Sequence, residues 1–140
     1  MVFKVLKQAL IGLTFAALFA GHASAQAAGD FLSGSCADDA NKPFCESAAK
    51  DFKKRFPLAY KGDYQSQRNV AFCLSSGCDG AVIRKPIFAC AWRLVIITSG
   101  SPDVDQSDTA NTDADCGKLS EIDRLTAAAQ AKEIIGRLSK

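Results

Sequence analysis

Six cysteines, at positions 36, 45, 73, 78, 90 and 116, constrain this chain of 140 residues more than any other feature. An even count in an exported chain reads as a framework of three disulfides. Six thiols allow fifteen connectivities, and spacing alone does not choose among them. Two rival uses are open to cysteine. A redox-active pair normally shows Cys-x-x-Cys, whereas the closest spacing here is Cys73 to Cys78. A thiolate metal site is disfavoured where thiols are oxidised. Structural bridges are therefore the expectation, and no metal or cofactor site is read from the sequence.

The compartment follows from the N-terminus. "MVFKVLKQALIGLTFAALFAGHASAQA" places Lys4 and Lys7 before an apolar run from Ala9 to Ala20, then Ala23-Ser24-Ala25. Charge, length and small residues at the cleavage spacing read as a secretory signal peptide over residues 1–25, with the mature chain starting near Gln26. The apolar run is too short to span a bilayer comfortably. "LSGSC", ending at Cys36, resembles a lipoprotein cleavage box, but the apolar segment stops well before it and Leu32 sits one residue too far away. A periplasmic or secreted location is expected, with no stable membrane insertion after cleavage.

Removing the leader also removes Lys4 and Lys7, so the 17 basic side chains fall to fifteen against 15 acidic ones. No basic excess remains to release counterions from nucleic acid or to hold an anionic membrane. The single histidine, His22, leaves as well. That excludes Ser-His-Asp and Cys-His catalysis and mixed Cys/His zinc sites from the mature chain. About 115 residues then form one domain with one core.

Residues 26–35 are small and polar and read as a flexible arm, leaving 36–140 as a single helical domain. Pro43 suits a first helical turn, and Phe44, Ala48 and Phe52 recur every four residues on a face expected to end before Pro57. The charge run "KDFKKR" reads as a solvated helix face. Asp63 is a good N-cap for a second helix carrying Val70, Cys73 and Leu74, which Gly77 ends. Pro86 opens a third, "PIFACAWRLVIITSG", apolar nearly all round and so expected at the centre. "RLVIIT" has strand-like β-branching, but no second strand of similar quality exists to pair with it. Residues 101–117 carry Asp103, Asp105, Asp108, Asp113 and Asp115 and read as an acidic surface loop. A calcium loop counted from Asp103 would need Gly and Glu where Asp108 and Ala114 stand. Leu119, Ile122, Leu125, Ala129, Ile134, Ile135 and Leu138 mark a last helix over 118–138, with Ser120 and Asp123 as a capping box. Thr112 and Asp115 offer an earlier start. The expected fold is all-α: a small bundle of about four helices, stapled by disulfides.

Helices two and three together resemble one Sel1-like repeat, the tetratricopeptide-related helix pair, over residues 62–100. Gly62-Asp63, Gln67, Asn69 and Val70 match the repeat's opening. Gly77 and Gly80-Ala81-Val82 resemble its turn, and Ala89, Cys90 and Trp92 fall where the family has small residues before an aromatic. Gly100 stands at its closing glycine. Against the pattern, the turn carries two extra residues, Leu74 replaces the customary aromatic, and Val95 and Ile96 are unusually apolar. Independently of the name, Ala71 and Ala89 on facing helices let two backbones approach closely. One repeat cannot bury its apolar face alone, so the first and last helices must cap it. The resemblance implies a protein–protein interaction module or scaffold.

With these helices in place, the pairing Cys36–Cys45, Cys73–Cys90 and Cys78–Cys116 is expected: a short loop, two facing helices, and two loop cysteines beside glycines. Each bridge contributes about 2–4 kcal/mol. The leading functional expectation is an exported module binding another envelope or secreted protein, with Arg68, Arg84 and Lys85 as the candidate surface and no catalytic residue. Arg93, interrupting the most apolar helix, is expected to reach an acidic residue or snorkel to solvent. A second class is a small disulfide-rich hydrolase or enzyme inhibitor, whose catalytic base would have to be a carboxylate such as Asp63, Asp79 or Glu121. A disulfide-stapled structural protein without a stable partner is the third.

Overall fold

The computed structural model describes residues 26–34, 36 and 40–138. The expected signal peptide lies outside these residues. Five α-helices follow one 3-10 turn at Ala28–Phe31: α1 (Lys42–Tyr60), α2 (Tyr64–Ser76), α3 (Pro86–Thr98), α4 (Gln106–Cys116) and α5 (Glu121–Arg137). Among the described residues no strand forms, only one antiparallel bridge between Leu32 and Val82. The molecule is an all-α bundle stapled by three disulfides.

The apolar helix, α3, takes the centre and packs on α2, α4 and α5. Ala89, Ala91, Trp92, Val95 and Ile96 are fully enclosed. Ala71 of α2 and Ala89 of α3 have no exposed surface, consistent with two backbones brought close by small side chains. An aromatic cluster continues the core towards α1. Tyr60 meets Trp92 edge-on at 5.0 Å between ring centroids, and Phe31 stacks on Phe88 at 5.3 Å. Edge-on and offset contacts of this kind suit the ring quadrupole.

Residues 26–34 are not the loose arm that the composition of 26–35 suggests. Phe31 is 4% exposed, buried against Phe52, Phe56 and Phe88. The segment is held to the α2–α3 turn by Ser33 N–H to Ala81 O and Ile83 N–H to Phe31 O. One aromatic anchor and backbone pairing outweigh the polar composition around them.

Helix α1 also departs from expectation, running through Pro57 to Tyr60. An interior proline removes one backbone bond and costs about 3 kcal/mol. Phe56 and Ala59, on either side of it, are buried at 3% and 0%, and that burial offsets the cost. The inward face is Cys45, Phe52, Phe56 and Ala59; Phe44, assigned to it by periodicity, is 66% exposed.

The acidic stretch 101–117 is mostly the helix α4, not a loop. Asp105 caps it, accepting bonds from the backbone N–H groups of Ser107 and Asp108, and the Asp108 carboxylate returns one from Asp105 N–H. Its buried residues are Asp108, Thr112 and Cys116, one side of a helix at four-residue spacing. The last helix begins at Glu121 with Ser120 as N-cap, so the earlier start at Thr112 belongs to α4 instead.

Cys36 is joined to Cys45, but the other two expected pairs are replaced by Cys73–Cys78 and Cys90–Cys116. Cys73 does not reach across to Cys90 because the chain turns back on it after α2. Gly77, Cys78, Asp79 and Gly80 all have positive φ, between 42° and 88°. This left-handed turn brings the Cα of Cys78 to 4.8 Å from that of Cys73. Two of the four residues are glycine, which adopts such angles without steric cost. Cys90 instead faces the end of α4, where the Cα of Cys116 is 5.0 Å away.

Candidate functional site

Two arginine–aspartate pairs fasten α4 to the rest of the bundle. At its first turn, Asp108 is 1% exposed and accepts a hydrogen bond from Tyr64 Oη of α2. Arg68, one turn along α2 from Tyr64, lies with Nε 3.2 Å from Asp108 Oδ1, an ion-pair contact without hydrogen-bond alignment. Its other nitrogens donate to Tyr64 Oη at 3.3 Å and Ser107 Oγ at 2.9 Å. At the last turn, Arg93 Nε of α3 donates to Asp115 Oδ2 at 2.8 Å, and Ser75 Oγ of α2 donates to Asp115 Oδ1 at 2.6 Å. Arg93 therefore reaches an acidic residue, as its place in an apolar helix required.

The electrostatics follow from these contacts. Burial, then the bond to Asp108, pushes the Tyr64 hydroxyl above its ordinary pKa. The Ser107 side chain, then its backbone N–H, holds the Asp105 carboxyl below the usual carboxylate range. Ser66 does the same for Asp63, the N-cap of α2: its side chain lies by the carboxylate, and its backbone N–H donates to Asp63 Oδ1 at 2.8 Å.

Between the two pairs lies an open groove of about 560 Å³. Arg55 of α1, Arg68 and Arg93 line it, with the amides of Gln65, Asn69 and Asn111 and the ring of Phe72. Arg55 is braced by Asp51 one turn earlier, at 2.8 Å, and Phe72 is 55% exposed. The groove thus offers guanidinium and amide donors around an aromatic face. Such a surface suits peptide carbonyls, carboxylates and apolar side chains, and it contains no nucleophile paired with a base.

Of the three arginine and lysine residues expected to form one surface, only Arg68 is here. Arg84 lies at the far end of α2, where its Nε donates to Ser75 O at 3.0 Å, and Lys85 is the residue before α3. Sequence reasoning missed Arg55, Phe72 and Asn111. Phe72 had a usable signal, since it falls off the stripe formed by Val70, Cys73 and Leu74. The groove itself had none, because one wall is α4. The carboxylates considered for catalysis are spread over three elements: Asp63 caps α2, Asp79 sits in the left-handed turn, and Glu121 opens α5. Among the described residues no group of His, Cys, Asp and Glu side chains is placed to hold a metal ion, and no helix is long and apolar enough to cross a membrane. No family model, curated protein or solved structure matches the chain.

Proposed function

We propose that this chain is an exported interaction module built around a Sel1-like helix pair, and that it binds another envelope or secreted protein through the α2–α4 groove. The observation that carries the reading is the exposed Phe72 ringed by three arginines, each already neutralised by a carboxylate. Aromatic and arginine side chains are the residue types that dominate binding energy at protein interfaces. Arginines braced by aspartates are also ordered in advance, so binding loses little side-chain entropy. An open groove of donors is a poor hydrolase centre, which favours the module over the enzyme.

The test is affinity capture from the cell-envelope fraction with disulfide-intact protein purified after expression of the full chain. The wild type at micromolar concentration is expected to retain a protein that Phe72→Asp does not. Circular dichroism would confirm that the variant is folded, as its exposed position implies. Recovery of no partner, or equal recovery with the variant, would overturn the proposal.

A further inference from the structure

Helix α5 is amphipathic twice over. Ala127, Ala131 and Ile134 face the core and are at most 5% exposed. On the opposite side, Ile122 is 75% exposed and Leu125 67%, and Ala129 is exposed beside them. At 100° per residue these three fall within an arc of about 60°, roughly opposite the buried stripe. Helix α5 packs chiefly on α3, so its outer face has no neighbour within the described residues. A large apolar side chain alone on a surface needs no explanation, but an ordered stripe does.

The charges beside the stripe say what fits it. Glu121 and Lys132 are eleven residues apart, close to three helical turns, and so share one flank of the stripe about 16 Å apart. Both are exposed, and neither forms an ion pair among the described residues. Two copies of α5 laid antiparallel about a two-fold axis bring the same flank of each helix together. Glu121 of one copy then meets Lys132 of the other, twice. The axis passes midway between them, at the level of residues 126 and 127. Leu125 comes level with the small residues Ala128 and Ala129 of the second helix, which lets the backbones approach. Parallel pairing would instead set this flank on opposite sides of the interface, where Glu121 and Lys132 do not meet.

We infer that α5 is a self-association surface, pairing antiparallel with a second copy of this chain in an isologous dimer. One helix face buries less than the area typical of tight complexes, so the dimer is a weak one, in the micromolar range. It lies away from the α2–α4 groove and does not depend on the function proposed for that groove.

Sedimentation velocity on the disulfide-intact protein, from micromolar to several hundred micromolar, tests the inference. The wild type is expected to shift from monomer to dimer across that range, and Leu125→Asp to remain monomeric while keeping its helical circular dichroism. Glu121→Lys should weaken the dimer, and adding Lys132→Glu to it should restore association. A wild type monomeric at every concentration overturns the proposal. So does a dimer that survives Leu125→Asp, or a charge exchange that fails to restore pairing.

Discussion

Arg93 is 5% exposed in a helix otherwise made almost wholly of apolar residues. Its charge is tolerated because Asp115 Oδ2 sits 2.8 Å away and Ser75 completes the carboxylate's bonding. Such a pair adds little net stability over apolar residues of the same size, because both ions had to leave water. Breaking it is another matter, since the survivor stays buried and unpaired. Asp115→Ala is therefore expected to cost about 3–5 kcal/mol in urea unfolding with the disulfides intact. The double replacement Arg93→Met with Asp115→Leu should recover most of that loss. A single substitution costing under about 1 kcal/mol would show that the surviving arginine finds water, as surface pairs do.

Three helices begin where short acidic or hydroxyl side chains satisfy orphan N–H groups: Asp63 for α2, Asp105 for α4, Ser120 for α5. The two aspartates have folded-state pKa values below their ordinary one. A depressed carboxylate contributes its stability fully above the unfolded-state pKa, about 4, and loses it as pH falls through the folded value. Wild-type thermal stability should thus fall more between neutrality and about pH 3 than that of Asp63→Asn with Asp105→Asn, which caps without a charge. Equal losses in the two proteins would count against the caps as acid-labile points. The same capping residues made α2 and α5 legible in the sequence, as Pro86 and the unbroken apolar run did for α3. Helix α4 was hidden for a physical reason. Its buried stripe, Asp108, Thr112 and Cys116, has helical spacing but is polar, so a search for apolar periodicity passes over it. On α5 the apolar residues that marked the helix lie on both of its faces, so helical spacing alone did not say that Ile122 and Leu125 point outward. The groove was mostly illegible for the first of these reasons: Arg68 could be singled out, but not the wall that turns Arg55, Phe72 and Arg93 into its neighbours.

At the scale of the molecule, α3 is the shared partner: α2, α4 and α5 each pack on it, and α1 is joined through α2 and the aromatic cluster. The covalent framework is laid on this arrangement as Cys36–Cys45, Cys73–Cys78 and Cys90–Cys116, spanning 9, 5 and 26 residues. Each cysteine is bonded to the next one along the chain or the one before it, so the three covalent loops neither overlap nor nest. A polypeptide that reaches its oxidant from the N-terminus onward presents its thiols in native couples. Oxidising each new cysteine onto the nearest one still unpaired yields the finished set with no bond to undo. Folding of the chain as it emerges from synthesis into an oxidising medium should consequently run at nearly the same rate with and without a disulfide isomerase, followed by trapping and mass analysis of the bonded species. A large acceleration by the isomerase, or long-lived species joining Cys73 to Cys90, would contradict this. Bond order here copies the order of synthesis, and a chain of this kind needs an oxidant far more than it needs an editor.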